Sequence, residues 1–218
     1  MRTAAVFGTT GLIGKQLVTL LSENKNYKNI YSFSRKRPEN LLVNVQHIDF
    51  NADAYSIPSG IDDLFICLGT TMKKARTQEA FKQVDLDMVI NVAKKSLEAG
   101  CKKVVVVSSI GANPTSKNFY LRVKGTMEEE IKKLNFEYIG IVRPSMLLGK
   151  REEFRFAERV GITVFRIFSF IFVGPLRKYR GIDSADVAKS MIMLALNGSG
   201  KVTVESNILK QIADGYDQ

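Results

Sequence analysis

Apolar and polar positions along the chain switch between two periods, and the switches predict strands followed by helices. Residues 3–7 form a short β-favouring run that ends in the turn Gly8-Thr9-Thr10-Gly11-Leu12-Ile13-Gly14. Leu12, Ile13, Leu17, Leu20 and Leu21 then recur at helical spacing, so an amphipathic helix follows the turn. Second and third strands are predicted over 29–34 and 43–49. A fourth over 62–68 is nearly all apolar, as suits a parallel strand covered on both faces. A helix from about 77 to 99 carries Phe81, Val84, Met88, Val92 and Leu97 at helical spacing, and Gly100 ends it. A fifth strand over 102–107, a helix from about 118 to 134, and a sixth strand over 138–142 closed by Pro144 complete this part.

Strands that alternate with helices imply an α/β architecture: a mostly parallel sheet, doubly wound, with helices on both faces. Beyond about residue 149 the pattern is less regular. It holds an apolar, arginine-punctuated helix candidate (152–172) and Asp183 and Asp186 as caps of a helix running to Leu196. A short strand over 201–205 follows. Residues 1–218 read as one domain, with 1–148 as its core and 149–218 as a short annex on the substrate side.

Composition narrows the class. Apolar residues make up 45% and charged residues 25% of the 218, which fits a globular protein and excludes a disordered or collagen-like chain. The formal charge of +10 permits an anionic partner, but the basic residues are dispersed and no nucleic-acid-binding module is present. Two cysteines beside apolar runs, Cys67 and Cys101, read as buried thiols rather than a disulfide framework. His47, the single histidine, makes no metal set, so no metal site is expected. The longest apolar tract, 161–174, is interrupted by Arg166 and is too short to span a bilayer. No signal-like segment opens the chain, and the expected location is cytoplasmic.

The glycine turn carries the first chemistry. Gly8 permits a tight exit from the strand, Gly11 lets backbone approach a pyrophosphate, and Gly14 lets the helix pack on the strand. The helix N-terminus supplies N–H groups and the positive end of a dipole. A dinucleotide is the expected ligand of residues 8–14. A carboxylate at the end of the second strand would select NAD; here the strand ends Ser34-Arg35-Lys36-Arg37. A cation at Arg35 suits a 2′-phosphate, which favours NADP(H). Lys73, Lys74 and Arg76 would also attract an anion, or form a solvated loop.

Tyr120 and Lys124 lie four residues apart on one helical face, downstream of a strand that ends in Ser108-Ser109 at the sheet edge where such folds bind ligands. A lysine cation stabilises phenolate, so Tyr120 would exchange a proton with a substrate oxygen during hydride transfer, and Ser109 would hold that oxygen.

These segments together resemble the short-chain dehydrogenases/reductases, in the atypical group of Tat-interacting tumour-suppressor-like proteins and their bacterial relatives. The resemblance rests on AVFGTTGLIGKQLV, CLGTTMKKARTQEAFKQVDLD, VVVVSSIGAN, FYLRVKGTMEEEIKKL and VRPSMLLGKREEFR, in order over most of residues 3–155. It implies a Rossmann fold, NADP(H) binding and a Ser-Tyr-Lys site at Tyr120, Lys124 and either Ser109 or Ser108. It also implies adenine contacts from Asp49 and Phe50 and a ribose–diphosphate loop at Leu68, Gly69 and Thr70. Asn91, Val107, Arg143, Pro144 and Ser145 would line the cofactor's centre and nicotinamide end, with Tyr120 and Lys124 touching it too.

The expected function is an NADP(H)-dependent oxidoreductase acting on a carbonyl or hydroxyl group of a small substrate. The alternative is an NADP(H)-binding sensor with little or no turnover. Neither nucleic acid nor stable membrane insertion is expected, whereas a homodimer or a protein partner is left open. The phenylalanines 165, 168, 170 and 172 would roof the substrate side or, on the rival reading, face a membrane.

Overall fold

The computed structural model describes residues 1–37, 42–51, 55–148 and 180–216. Among them, seven strands form one sheet: β1 (Arg2–Phe7), β2 (Tyr27–Ser34), β3 (Val45–Asp49), β4 (Asp63–Ile66), β5 (Lys103–Val107), β6 (Tyr138–Arg143) and β9 (Gly200–Glu205). Their order is β3-β2-β1-β4-β5-β6-β9, and every adjacent pair is parallel. A two-residue pair, β7 (Leu147–Leu148) with β8 (Ile182–Asp183), lies outside it. This is the doubly wound α/β fold that the strand–helix alternation predicts.

Period-2 alternation explains the two-sided core. On β1, Ala5 and Phe7 belong to the cluster on one face, with Phe33, Leu64, Val104 and Ile139. Ala4 and Val6 belong to the other, with Ile30, Phe65, Val105 and Val142. Helices α1 (Leu12–Glu23), α6 (Ser184–Asn197) and α7 (Ser206–Asp214) cover the second face; α4 (Met88–Glu98) and α5 (Phe119–Lys133) cover the first. The candidate strand near the end joins the main sheet as β9, paired with β6. Asp183 caps α6, accepting from the Ala185 N–H, but Asp186 sits in the first turn and pairs with Lys210 instead.

The helix expected over 77–99 departs from the prediction in phase. Two short helices, α2 (Met72–Ala75) and α3 (Gln78–Lys82), precede a π turn over Gln83–Asp87, which leads into α4. A π turn adds one residue per i→i+5 bond and rotates everything after it by about 100°. Val84, Met88 and Leu97 are therefore only half-buried, while Asp85, Leu86, Val89, Val92 and Ala93 face inward. Among the described residues, no helix is long and apolar enough to cross a membrane. The helix expected over 152–172, with its phenylalanines, lies outside the described residues.

Candidate functional site

Strand order reverses at β1: the chain goes from there to β2 and β3 on one side, then crosses from β3 to β4 on the other. In open α/β sheets the ligand position lies outside the C-terminal ends of the strands at such a reversal. Gly8 turns there with φ 85°, in the left-handed region. A Cβ on Gly8 would stand 2.5 Å from the Cys67 carbonyl oxygen, so the loop after β4 runs directly against the turn. A Cβ on Gly14 would stand 2.3 Å from the Gly8 oxygen, which fixes the helix on the turn. Gly11 differs: a Cβ would meet only the Gly8 oxygen, at 3.2 Å. Gly11 is also the N-cap of α1, and no side chain caps the helix. The first turn therefore offers its N–H groups and dipole to a ligand without a competing side chain, an arrangement that fits a pyrophosphate. Thr10 and Gly11 are exposed at the mouth and Leu12 is half-buried; Ile13 packs into the core. Thr9 is buried and accepts from the Ser32 hydroxyl at 3.0 Å.

Arg35 and Lys36 are exposed just past β2. Asp49, at the end of β3, is exposed and in register with Ser34. The Phe50 ring is engaged in the core, with ring centroids 5.2 Å from Phe7 and 4.9 Å from Tyr55. A purine contact from that side chain does not agree with this packing.

Lys124 is buried on α5, and its ammonium lies 2.7 Å from Asp85 Oδ1. The other carboxylate oxygen, Oδ2, accepts from the Thr70 N–H at 2.8 Å. Asp85 thus ties Lys124 to the loop Leu68–Gly69–Thr70, and a Cβ on Gly69 would stand 3.9 Å from the Lys124 nitrogen. Leu68 and Thr70 are half-buried and Gly69 is exposed, beside the turn at Gly8. Tyr120, one helical turn before Lys124, is half-buried with its ring 5.6 Å from Phe81. The Asp85–Lys124 pair carries zero net charge, so a phenolate would feel less attraction from it than from an isolated cation.

The two serines differ. Ser108 is buried and donates to Glu128 Oε1 at 2.5 Å, whereas Ser109 is half-buried and, among the described residues, its hydroxyl makes only a 3.4 Å contact with the Ile110 carbonyl. Glu128 also receives Arg143 through both oxygens, at 2.8 and 2.6 Å, and Arg143 donates to the Ala112 carbonyl at 3.0 Å. The guanidinium is pushed up further by its hydrogen bond to Glu128, so this buried carboxylate keeps a charged partner. Ser108 and Arg143 therefore brace the loop over 108–112 from below, and Ser109 is the freer hydroxyl. Pro144 is buried and its carbonyl accepts from the Ile110 N–H; Val107, half-buried, ends β5. The Ser145 N–H donates to Ser206 Oγ at 2.6 Å, and its hydroxyl donates to the Arg180 carbonyl. Asn91 is exposed on α4, while Val89, Val92 and Ala93 face inward. The π turn brings Asp85, not Asn91, to Lys124.

Asp85, Glu128 and Gly125 were missed in reading the sequence. Glu128 follows Lys124 by four and Tyr120 by eight, so the helical face was legible, but the run Glu128-Glu129-Glu130 reads as a solvated surface. Gly125 sits mid-helix, a place that costs stability without a packing reason. The reason is close approach: a Cβ would lie 2.2 Å from Asn113 C and Pro114 N, where the loop crosses α5.

A family model described as NAD(P)H-binding matches residues 8–166. The chain belongs to that NAD(P)H-binding family. Protein FMP52, mitochondrial, of Debaryomyces hansenii is 33% identical over 202 residues, covering 88% of this chain and 87% of the relative. Among solved structures, UDP-N-acetylglucosamine 4-epimerase from Methanobrevibacter ruminantium superposes with a TM-score of 0.69 at 18% identity, covering 100% of this chain and 83% of that one. A human epimerase family protein with NADPH gives 0.63 at 18%, covering 93% and 74%. The NAD(P)H-binding family membership and the epimerase/dehydratase-like fold thus agree with the glycine turn and the sheet order. The cytoplasmic expectation is corrected by the relatives. FMP52 proteins of Debaryomyces hansenii, Eremothecium gossypii and Candida albicans all bear a mitochondrial designation, which points away from the cytoplasm.

Proposed function

We propose that this NAD(P)H-binding protein is an NADP(H)-dependent oxidoreductase of the atypical Tat-interacting tumour-suppressor-like group, acting on a carbonyl or hydroxyl group of a small substrate. The observation that carries the reading is Lys124. A buried ammonium, ion-paired by Asp85 one helical turn from Tyr120 and beside the loop that abuts the glycine turn, is costly to maintain without a use at the cofactor.

Residues 8–14 would hold the pyrophosphate, and Arg35 the adenosine 2′-phosphate. A bound nicotinamide supplies or takes the hydride. Tyr120 gives its phenolic proton to the carbonyl oxygen in reduction and takes it back in oxidation. Ser109 donates a hydrogen bond to that oxygen. Lys124, held by Asp85, supplies a fixed donor near the phenol, and Ser108, Glu128 and Arg143 hold the loop that carries Ser109. A screen of aldehydes, ketones and quinones followed by NADPH oxidation tests this. Tyr120→Phe should remove turnover and leave NADPH affinity nearly intact. A Phe variant as fast as the parent would defeat the role of Tyr120.

One observation favours a second reading, an NADP(H)-binding sensor with little turnover. Asp85 compensates the charge of Lys124, which weakens phenolate stabilisation. NADPH binding of normal affinity, with no oxidation across the whole screen, would select it.

A further inference from the structure

His47, the only histidine, has no part in the chemistry above, yet its ring reaches the turn that carries Arg35. His47 Nε2 lies 3.0 Å from the Ser34 carbonyl oxygen and 3.1 Å from the Ser34 hydroxyl. A carbonyl oxygen only accepts, so Nε2 must carry a hydrogen and donate to it. The Ser34 hydroxyl gives its own proton to the Lys36 carbonyl at 2.8 Å, and its oxygen is then free to share the His47 Nε2–H. The Ser34 carbonyl also accepts from the Phe50 N–H at 3.2 Å, a rung that ties β2 to the end of β3.

The consequence is local. Ser34 is buried and held through carbonyl and hydroxyl together; Lys36 is held through its carbonyl; Arg35 stands between them, exposed. Arg35 has a long flexible side chain, and the bonds at Ser34 and Lys36 orient the backbone from which it extends. A phosphate contact made by a guanidinium depends on such orientation, because the fork is planar and directional. Supporting groups that hold a binding residue commonly tune it without touching the ligand.

From this geometry we infer that His47 is a positioning residue for cofactor choice. Through Ser34 it fixes the turn that presents Arg35, and with it Lys36, to the 2′-phosphate of NADPH. The inference rests on the reading of Arg35 as the 2′-phosphate partner. NADH lacks that phosphate but shares everything else, so it is an internal control. A residue that only supports the fold weakens both cofactors alike; a residue that positions Arg35 weakens NADPH alone.

The test is titration of the full-length chain with NADPH and with NADH, read by cofactor fluorescence, for the parent and for His47→Leu, His47→Gln, Ser34→Ala and Arg35→Asp. His47→Leu removes the donor, and the NADPH-over-NADH ratio should fall at least fivefold with NADH affinity unchanged within twofold. His47→Gln keeps an N–H donor at a similar reach and should retain the ratio within twofold. Ser34→Ala removes the hydroxyl that holds Lys36 and should lower the ratio as His47→Leu does, which keeps the inference testable if the leucine variant folds poorly. A His47→Leu ratio equal to that of the parent, or equal losses for both cofactors, overturns the role of His47; if His47→Leu does not fold, a Ser34→Ala ratio equal to that of the parent overturns it. If Arg35→Asp collapses the ratio in that same experiment, the 2′-phosphate reading stands without His47. A parent that does not prefer NADPH overturns both.

Discussion

Asp85→Asn is the most informative single change to the site. The substitution keeps shape and keeps an acceptor for the Thr70 N–H, but it replaces the charged acceptor at Oδ1 with an amide NH2, a donor, facing the Lys124 ammonium. What it removes is, among the described residues, the one carboxylate within ion-pair distance of Lys124, whose side chain is 5% exposed against 1% for Asp85. Losing one partner of a buried pair leaves the other charge uncompensated, and such losses run to about 3–5 kcal/mol. For a chain of this size each kcal/mol lowers Tm by about 2–4 °C, so a fall of roughly 6–20 °C is expected. Lys124→Met should also destabilise, because it leaves Asp85 charged with the Thr70 N–H as its remaining shown donor. The double variant Asp85→Asn/Lys124→Met has no buried charge at this place and should recover about 2–3 kcal/mol relative to the sum of the singles. The chain has no tryptophan, so urea unfolding is best followed by far-UV circular dichroism. Single variants that each cost less than about 1 kcal/mol, or a double variant equal to the sum of the singles, would refute a coupled buried pair.

Other consequences are independent of that pair. Arg35→Asp should weaken NADPH roughly tenfold to a hundredfold, the loss of a charged hydrogen bond of about 1.5–3 kcal/mol, and leave NADH little changed; equal losses would contradict the 2′-phosphate role. Gly14→Ala places a Cβ 2.3 Å from the Gly8 oxygen. That overpacking should cost about 1–3 kcal/mol and displace the turn, and unchanged NADPH affinity would argue against the turn as the pyrophosphate seat. Burial pushes the thiols of Cys67 and Cys101 and the phenols of Tyr55 and Tyr138 up to about 12. In the unfolded chain thiols ionise near about 8.5 and phenols near about 10, so at high pH the folded state binds more protons and stability falls as pH rises. The urea midpoint should therefore drop from about pH 9 upward, and a flat profile to about pH 11 would count against it.

The pattern of the chain determined the sheet, because alternation and helical spacing are local properties. Residues 3–7 and 104–106 read as strands, and the glycines at 8, 11 and 14 carried their own geometry: a positive φ at Gly8 and close approach at Gly14 are demands that only glycine meets without strain. Tyr120 and Lys124 were legible as a pair, since four residues is one helical turn. The sequence could not show what faces them. A single π turn over Gln83–Asp87 rotates the helix after it, and a period-3.6 reading, blind to that extra residue, assigned Val84 and Met88 to the inner face that Asp85 and Val89 take. Glu128 shows the same limit. In sequence it opens a run of three acids, while in three dimensions it is the buried partner of Ser108, just past β5 and 20 residues before it, and of Arg143, at the end of β6 and 15 residues after it. Partners distant in sequence are brought together by the order of strands in the sheet. Only the tertiary structure decides which carboxylate meets which cation, and therefore which of two adjacent serines is the less engaged.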